Sequence, residues 1–429
     1  MIFRPEQQRG RLKWYFESCK NGAWGEEPDG EHDVMCIRAA DFDGISGRLK
    51  NGERTVRAID RRVFAKVALR SGDLVVEKSG GGDKQLVGRS VLFEEDNASV
   101  CSNFLARARP VAQAHPAYLN YLLLALYNAR GTYPYIKQST GIQNLDMAGY
   151  LDTRVDVPSL DTQRRVADFL DEKTARIDAL IAKKHALLER LAEKRQALIT
   201  QAVTKGLDPS APMKDSGIGW LGRVSAHWRV VPVKRVAKLE SGHTPDKKVD
   251  AYWEDCKIPW VSLNDTDALR NNDYISDTAY RINEQGLANS SARLLPARAV
   301  VFTRDATIGE SAITLCPMAV SQHIIAWLCD EALVLPEFLL FAIYGMTGEL
   351  LRLTNGSTIG TIGLGDVKSI HIALPPIEEQ RAIVSFVSDS KDRIAVALNK
   401  VRASVDRLTE YRAALITAAV TGQLPALNG

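Results

Sequence analysis

The phrase ALITQAVTKGL, Ala197–Leu207, returns as ALITAAVTGQL, Ala414–Leu424, at an offset of 414 − 197 = 217 in a chain of 429 residues. A long gapless duplication restricts a fold severely, because each copy must satisfy similar packing in two places. Extended backwards at the same offset, VPSLDTQRRVADFL (Val157–Leu170) falls on LPPIEEQRAIVSFV (Leu374–Val387). Pro158/Pro375, Gln163/Gln380, Arg164/Arg381 and Phe169/Phe386 coincide. The match continues through Ile177/Ile394, Leu191/Leu408, Glu193/Glu410 and Arg195/Arg412 to Leu198/Leu415 and Val203/Val420.

Each copy reads as one long helix. In the first, Val166, Leu170, Ile177, Leu180, Ile181, Leu187, Leu188, Leu191, Leu198 and Ala202 recur at helical spacing and make a narrow apolar stripe. The second repeats it with Ile383, Val387, Ile394, Leu398, Val401, Val405, Leu408, Leu415 and Ala419. Acidic first turns follow a proline, with Asp161 in one copy and Glu378 and Glu379 in the other. Gly206 with Pro209, and Gly422 with Pro425, supply the stops. A helix from Asp161 to Thr204 would be a rod of about 66 Å at about 1.5 Å per residue. So narrow a stripe wants a partner helix, and two copies in one chain can pair with each other. Connectivity makes that pair antiparallel, since the second helix must run back along the first.

The duplication divides the chain into segments 1–156, 157–205, 206–373 and 374–429. The two non-helical segments resemble each other weakly. LRSGDLVVEKSGGG (Leu69–Gly82) aligns with LPARAVVFTRDATI (Leu295–Ile308), and STGIQNLDM (Ser139–Met147) with GSTIGTIGL (Gly356–Leu364). Both alignments join β-rich runs to small polar turns. The expected fold is therefore a multidomain α/β chain with an internal pseudo-two-fold repeat: two mixed α/β domains separated by two long helices that pair as an antiparallel coiled coil. Two related frames with different surfaces, joined by a rod, make a ruler with two readers.

Double-stranded DNA is the expected object. From Arg48 to Arg70 there are eight basic residues, Arg48, Lys50, Arg54, Arg57, Arg61, Arg62, Lys66 and Arg70, against Glu53 and Asp60. Such a patch suits phosphate neutralisation. The segment Gly206–Leu374 has 16 basic and 19 acidic residues, so its case rests on local loops. Base edges are read by side chains that donate and accept hydrogen bonds. The candidates are Lys78, Lys84, Arg89, Lys137, Gln138, Gln143 and Asn144 in the first segment, and Asn264, Arg304, Gln322, His323, Asn355 and Ser357 in the second.

No catalytic motif emerges. GIGWLG, Gly217–Gly222, matches a dinucleotide fingerprint, but its proline-bearing flanks do not supply the strand and helix that a cofactor loop needs. There is no phosphate-binding loop and no metal-binding histidine pair, and the six cysteines are scattered without a paired motif. They are expected to be reduced and buried. The opening MIFRPEQQRGRLKWYF lacks a signal-peptide core and no stretch is apolar enough to span a membrane, so a cytoplasmic location is expected.

Taken together, LPPIEEQRAIVSFV, ALITAAVTG, ALITQAVTKGLDPSAPMKDSGIGWLG, SAHWRVVPVKRVAKLESGHTP and YWEDCKIPWVSLND resemble the specificity (S) subunits of type I restriction-modification systems. The resemblance implies two target-recognition domains alternating with two matching helical regions, in a subunit with no catalytic residue and no metal or cofactor of its own. Its partners would be double-stranded DNA with a split target, two type I methyltransferase (M) subunits and type I restriction (R) subunits. S-adenosylmethionine, ATP and magnesium would be used on those partner subunits. Helix pairing and partner docking would fall to the repeated helical positions: Gln163, Phe169, Ile177, Leu191, Arg195 and Leu198, and Gln380, Phe386, Ile394, Leu408, Arg412 and Leu415. The first segment lacks a counterpart of SGIGWLG, and Lys184 stands where the second helix has Val401. Two other readings remain: a self-contained metal-dependent endonuclease using Asp246, Asp255 and Lys257, and a structural coiled-coil scaffold.

Overall fold

The computed structural model describes residues 8–44, 46–81, 85–139, 141–354 and 360–427. It divides into two compact units, one of Met1–Ala186 with Val401–Gly429 and the other of Leu187–Lys400. The units do not follow the four sequence segments, because each takes half of both long helices.

In the first unit the central strand Leu74–Glu77 is buried along its whole length, with apolar Leu74, Val75 and Val76 followed by Glu77, which is paired with Arg89. It lies in an antiparallel sheet of order Phe16–Asn21, Leu105–Pro110, Leu74–Glu77 and Ser90–Leu92. A second sheet sets Asp33–Ile37 antiparallel to Thr55–Ala58 and parallel to Ser99–Cys101. The core helix Pro116–Asn128 begins with the ring whose fixed φ suits a first helical position. Its run of nine buried residues, Ala117–Ala125, leaves no polar face, so it can only sit inside.

The second unit repeats this frame. Ala237–Ser241, Ile324–Cys329, Val300–Thr303 and Ser311–Thr314 form the equivalent sheet, with Tyr274–Ile275 added in parallel at its edge. Ile258–Val261 again has one antiparallel neighbour, Arg281–Ile282, and one parallel neighbour, Ala319–Val320. The core helix is Pro336–Gly345. Each unit is closed by an antiparallel pair of its outer strands: Gln8–Arg11 with Arg154–Val157, and Arg229–Pro232 with His371–Leu374. Among the described residues only the second unit carries a further hairpin, Met213–Asp215 with Arg223–Ser225. The phrase GIGWLG spans its turn and leads into a strand, so the helix a dinucleotide loop requires is absent there.

The long helices run Leu160–Lys205 and Ile377–Val420. In the first unit the start of one, Val166, Ala167 and Leu170, shares a core with the end of the other, Ile416, Ala419 and Val420. In the second unit the roles exchange: Ile199, Ala202 and Val203 share a core with Ile383 and Val387. The pairing is antiparallel. Each repeated ALIT phrase thus completes the interior of a unit, since Ile199/Ile416, Ala202/Ala419 and Val203/Val420 are all buried at the common offset. One expectation is corrected: Leu180 and Leu187 are 44% and 43% exposed. The seam runs through buried Ile177 and Ile181 and half-buried Lys184, Leu188 and Leu191. A residue one position off a seam points about 100° away from it.

The burial expected of the cysteines holds only for Cys36 and Cys101; the other four are half-buried, and all six are free. Among the described residues no helix is long and apolar enough to cross a membrane.

Candidate nucleic-acid interface

Each unit ends its central strand in the same construction. In the first, the Lys78 and Ser79 N–H groups donate to the Phe104 carbonyl at 2.9 and 3.0 Å, and the Leu145 N–H donates to the Lys78 carbonyl at 2.8 Å. In the second, the Arg304 N–H donates to the His323 carbonyl at 3.0 Å, and the Ile362 N–H donates to the Arg304 carbonyl at 2.9 Å. Lys78 and Arg304 therefore occupy one backbone position, as do Phe104 and His323, and Leu145 and Ile362.

The first unit surrounds this position with a small sheet of Ile136–Ser139, Ile142–Leu145 and Ser79–Gly80. Its register places Lys137 opposite Asn144 and Gln138 opposite Gln143. Strand alternation turns Lys137 and Asn144 outward, with 50%-exposed Ile142, and Gln143 inward, where its amide oxygen accepts from the Val87 N–H at 3.2 Å. The Ser79 hydroxyl donates to Asn144 at 2.7 Å and Lys137 pairs with Asp146 at 3.0 Å. Gln138 is exposed. Arg89 is turned into the domain, paired with buried Glu77 at 3.1 Å.

The second unit holds a chain of polar side chains at the equivalent exit. The Thr244 hydroxyl donates to Gln322 Oε1 at 2.7 Å, the Gln322 amide meets His323 Nε2 at 3.1 Å, and His323 Nδ1 meets Asp305 Oδ2 at 2.6 Å. Ala306, the next residue after Asp305, has φ +60°, a conformation that a residue with a Cβ adopts at a cost. Asn264 is exposed and bonded to the Ser262 hydroxyl at 3.3 Å. Lys84, Asn355 and Ser357 lie outside the described residues.

The basic run Arg48–Arg70 is not one open cationic face. Arg48 pairs with Glu94 and with Asp171 of the first long helix, Arg54 with Glu95 at 2.6 Å, and Arg57 with Glu27 while stacking over Trp24. Arg61 comes within 3.7 Å of Glu31, and the Lys50 ammonium donates to the Ala40 carbonyl. Arg61, Arg62 and Lys66, on the short helix Arg61–Val67, and Arg70 just beyond it have exposed side chains. They are the part of the run most open to solvent.

The helix positions separate by role. Gln163 Oε1 accepts from the His115 N–H at 2.8 Å while its amide donates to Pro158. Gln380 does the same for the Leu335 N–H at 2.9 Å, its amide donating to Leu333 and Pro375. Each glutamine, buried, thus fastens a long helix to the residue before a core helix. Arg412, 4% exposed, pairs with Asp178 at 2.8 Å and donates to the Ser46 carbonyl, whereas its repeat mate Arg195 is exposed. Ile177 and Ile394 are buried. Phe169, Leu191, Leu198, Leu408 and Leu415 are half-buried, and Phe386 is 37% exposed. In the second unit Lys391 pairs with Asp273 under the rings of Phe341 and Tyr344, and burial holds its pKa below the ordinary lysine value.

Sequence reasoning missed two residues here. Phe104, 51% exposed, stands at the His323 position of the first unit, and Asp305 stands beside Arg304. The first escapes a search restricted to polar base readers; the second gains meaning only from its partners. Among the described residues no group of three or more His, Cys, Asp and Glu side chains is arranged to hold a metal ion.

The chain thus holds two units of one topology, each with a differently furnished strand exit and each including half of both long helices. Residues 226–402 match the Type I restriction modification DNA specificity domain. The chain is 29% identical over 178 residues to the MjaIX specificity subunit of Methanocaldococcus jannaschii, covering 41% of this chain and 40% of that one. It is 25% identical to the EcoR124I/EcoR124II specificity subunit of Escherichia coli, over 41% of this chain and 43% of that one. These alignments thus span about two fifths of either relative. A chain solved in work on complex assembly and conformational transition of the type I R-M system shares the fold, with a TM-score of 0.73 at 16% identity over 99% of this chain and 100% of that one. The chain is thus similar to type I restriction-modification specificity subunits over about two fifths of its length, and shares a fold with the solved chain over nearly all of it.

Proposed function

We propose that the chain is the non-catalytic sequence-reading subunit of a type I complex, each unit specifying one half of a bipartite double-stranded DNA target. The observation that carries this is the shared strand exit with exchanged side chains: Lys78, Phe104 and the Lys137/Asn144 face in one unit, Arg304, His323 and Gln322 in the other. A common backbone keeps the geometry of approach, while the exchanged groups change which base edges are complementary. Two methyltransferase subunits dock on the repeated helical regions, where Leu180, Leu187, Val396 and Tyr411 leave apolar surface uncovered, and restriction subunits join them. S-adenosylmethionine, ATP and magnesium serve on those partners.

The test is an exchange of Arg229–Leu374, bounded by the paired outer strands of the second unit, for the matching segment of another specificity subunit. Methylation-site mapping on random-sequence DNA with the assembled complex should show one half-site replaced and the other retained. A change in both halves would show that the units do not read independently.

A further inference from the structure

We propose that Arg304 and Asp305 together read a single G·C base pair in the half-site of the second unit. The inference rests on reading that unit as a DNA-recognition module and names its specificity-determining residues.

The polar chain has a direction. Because the Thr244 hydroxyl donates to Gln322 Oε1, the amide nitrogen of Gln322 faces His323 Nε2 as a donor. Nε2 must then accept, which puts the ring proton on Nδ1, where it is donated to Asp305 Oδ2. One carboxylate oxygen of Asp305 is thereby fixed and used. The other, Oδ1, is buried and has no hydrogen-bond partner among the described residues, and the same is true of Arg304 Nε, which makes only an ion-pair contact with Oδ2 at 3.6 Å. Asp305 itself is only 7% exposed. A buried acceptor and a buried donor, unmet and on adjacent residues, are costly to leave so unless something else completes them.

The backbone fixes the two residues directly after the central strand Val300–Thr303. Asp305 bridges to Thr361, the Ala306 N–H donates to the Gly360 carbonyl at 3.0 Å, and Ala306 is kept at positive φ. Strain retained beside unmet polar atoms is a common mark of a binding site. The chemistry of the pair narrows the ligand. A phosphate is disfavoured, because the carboxylate of Asp305 would repel it. In the major groove, guanine offers acceptors at O6 and N7, for which arginine is the usual partner, and the paired cytosine offers the N4 amino donor that a carboxylate accepts. A G·C pair therefore presents acceptor and donor side by side, complementary to Arg304 and Asp305. The first unit lacks the acidic member, having Lys78 followed by Ser79.

The experiment uses the full chain assembled with the methyltransferase subunits of its own system, acting on random-sequence duplex DNA. The wild-type complex should require one G·C pair in the half-site that follows the second unit. Asp305→Asn and Arg304→Gln should each relax discrimination at that one position by about tenfold or more and leave the other half-site unchanged. A purely structural role would lower methylation of all sequences equally and leave the base preference intact. A measurement independent of protein folding replaces the required guanine by 7-deazaguanine, which lacks N7; the wild-type complex should then methylate that duplex about tenfold more slowly. The proposal is overturned if both variants keep the wild-type preference at every position, if the half-site contains no required G·C pair, or if 7-deazaguanine at each such pair has no effect. A wild-type complex with no sequence preference at all would instead refute the reading of the unit as a DNA reader.

Discussion

The two units use one scaffold and finish it differently. Gln163 and Gln380 perform the same fastening, and Ile199 and Ile416 fill the same interior position. Yet Arg412 is buried against Asp178 while Arg195, its repeat mate, is exposed, because the position equivalent to Asp178 is Ala395. At the strand exits the divergence is wider: Phe104 against His323, and Gly80 against Ala306. The comparison teaches that duplication preserved what closes a domain. The residues differ at the strand exits and at the partner of one repeated arginine, Asp178 against Ala395.

Four measurements break or sharpen that comparison. The largest effects belong to the shared interior: Ile199→Ala and Ile416→Ala should each cost about 2–5 kcal/mol. Hydrogen exchange should localise the loss to the second unit for the former and the first for the latter. If either variant weakened both units alike, the equivalence of the two interiors would be lost.

The glutamine fasteners come next. Gln380→Ala strands three backbone groups, Leu335 N–H, Leu333 C=O and Pro375 C=O, and should cost about 3 kcal/mol. Gln163→Ala strands two, His115 N–H and Pro158 C=O, and should cost about 2 kcal/mol. Urea midpoints rank the pair, and a reversed order would mean that the bonds are not the source of the stability.

For the arginines the two units should part. Arg412→Ala removes a buried cation from Asp178, which is 30% exposed and can be partly rehydrated, so a loss of about 2 kcal/mol is expected. Arg195→Ala, at an exposed position, should stay within about 0.5 kcal/mol of the parent. Equal losses in thermal unfolding would show that Arg195 has a partner role of its own. Smallest of all, Ala306→Gly should stabilise the second unit by up to about 1 kcal/mol by relieving the positive φ. Calorimetry that found a loss would place the value of that alanine in its methyl group.

The sequence by itself determined the long helices and their antiparallel return, because periodicity and an offset of 217 are local and arithmetic signals. It also paired the strand exits, since Lys78 and Arg304 can be aligned from the β-rich runs before them. What it left open was partnership. The basic run Arg48–Arg70 looks uniform in one dimension, but Glu94, Glu95, Glu27 and Asp171 come from elsewhere in the chain to neutralise part of it. The repeat assigns Gln163 and Gln380 to helix pairing and partner docking, and the structure buries both, each bonded to the residue before a core helix. Asp305 acquires its unmet oxygen only because His323, brought from the neighbouring strand, occupies the other. Helix spacing is written in the neighbours of a residue along the chain. Hydrogen-bond satisfaction depends on groups far apart in sequence, so only the tertiary structure could decide which polar side chains remain available to a ligand.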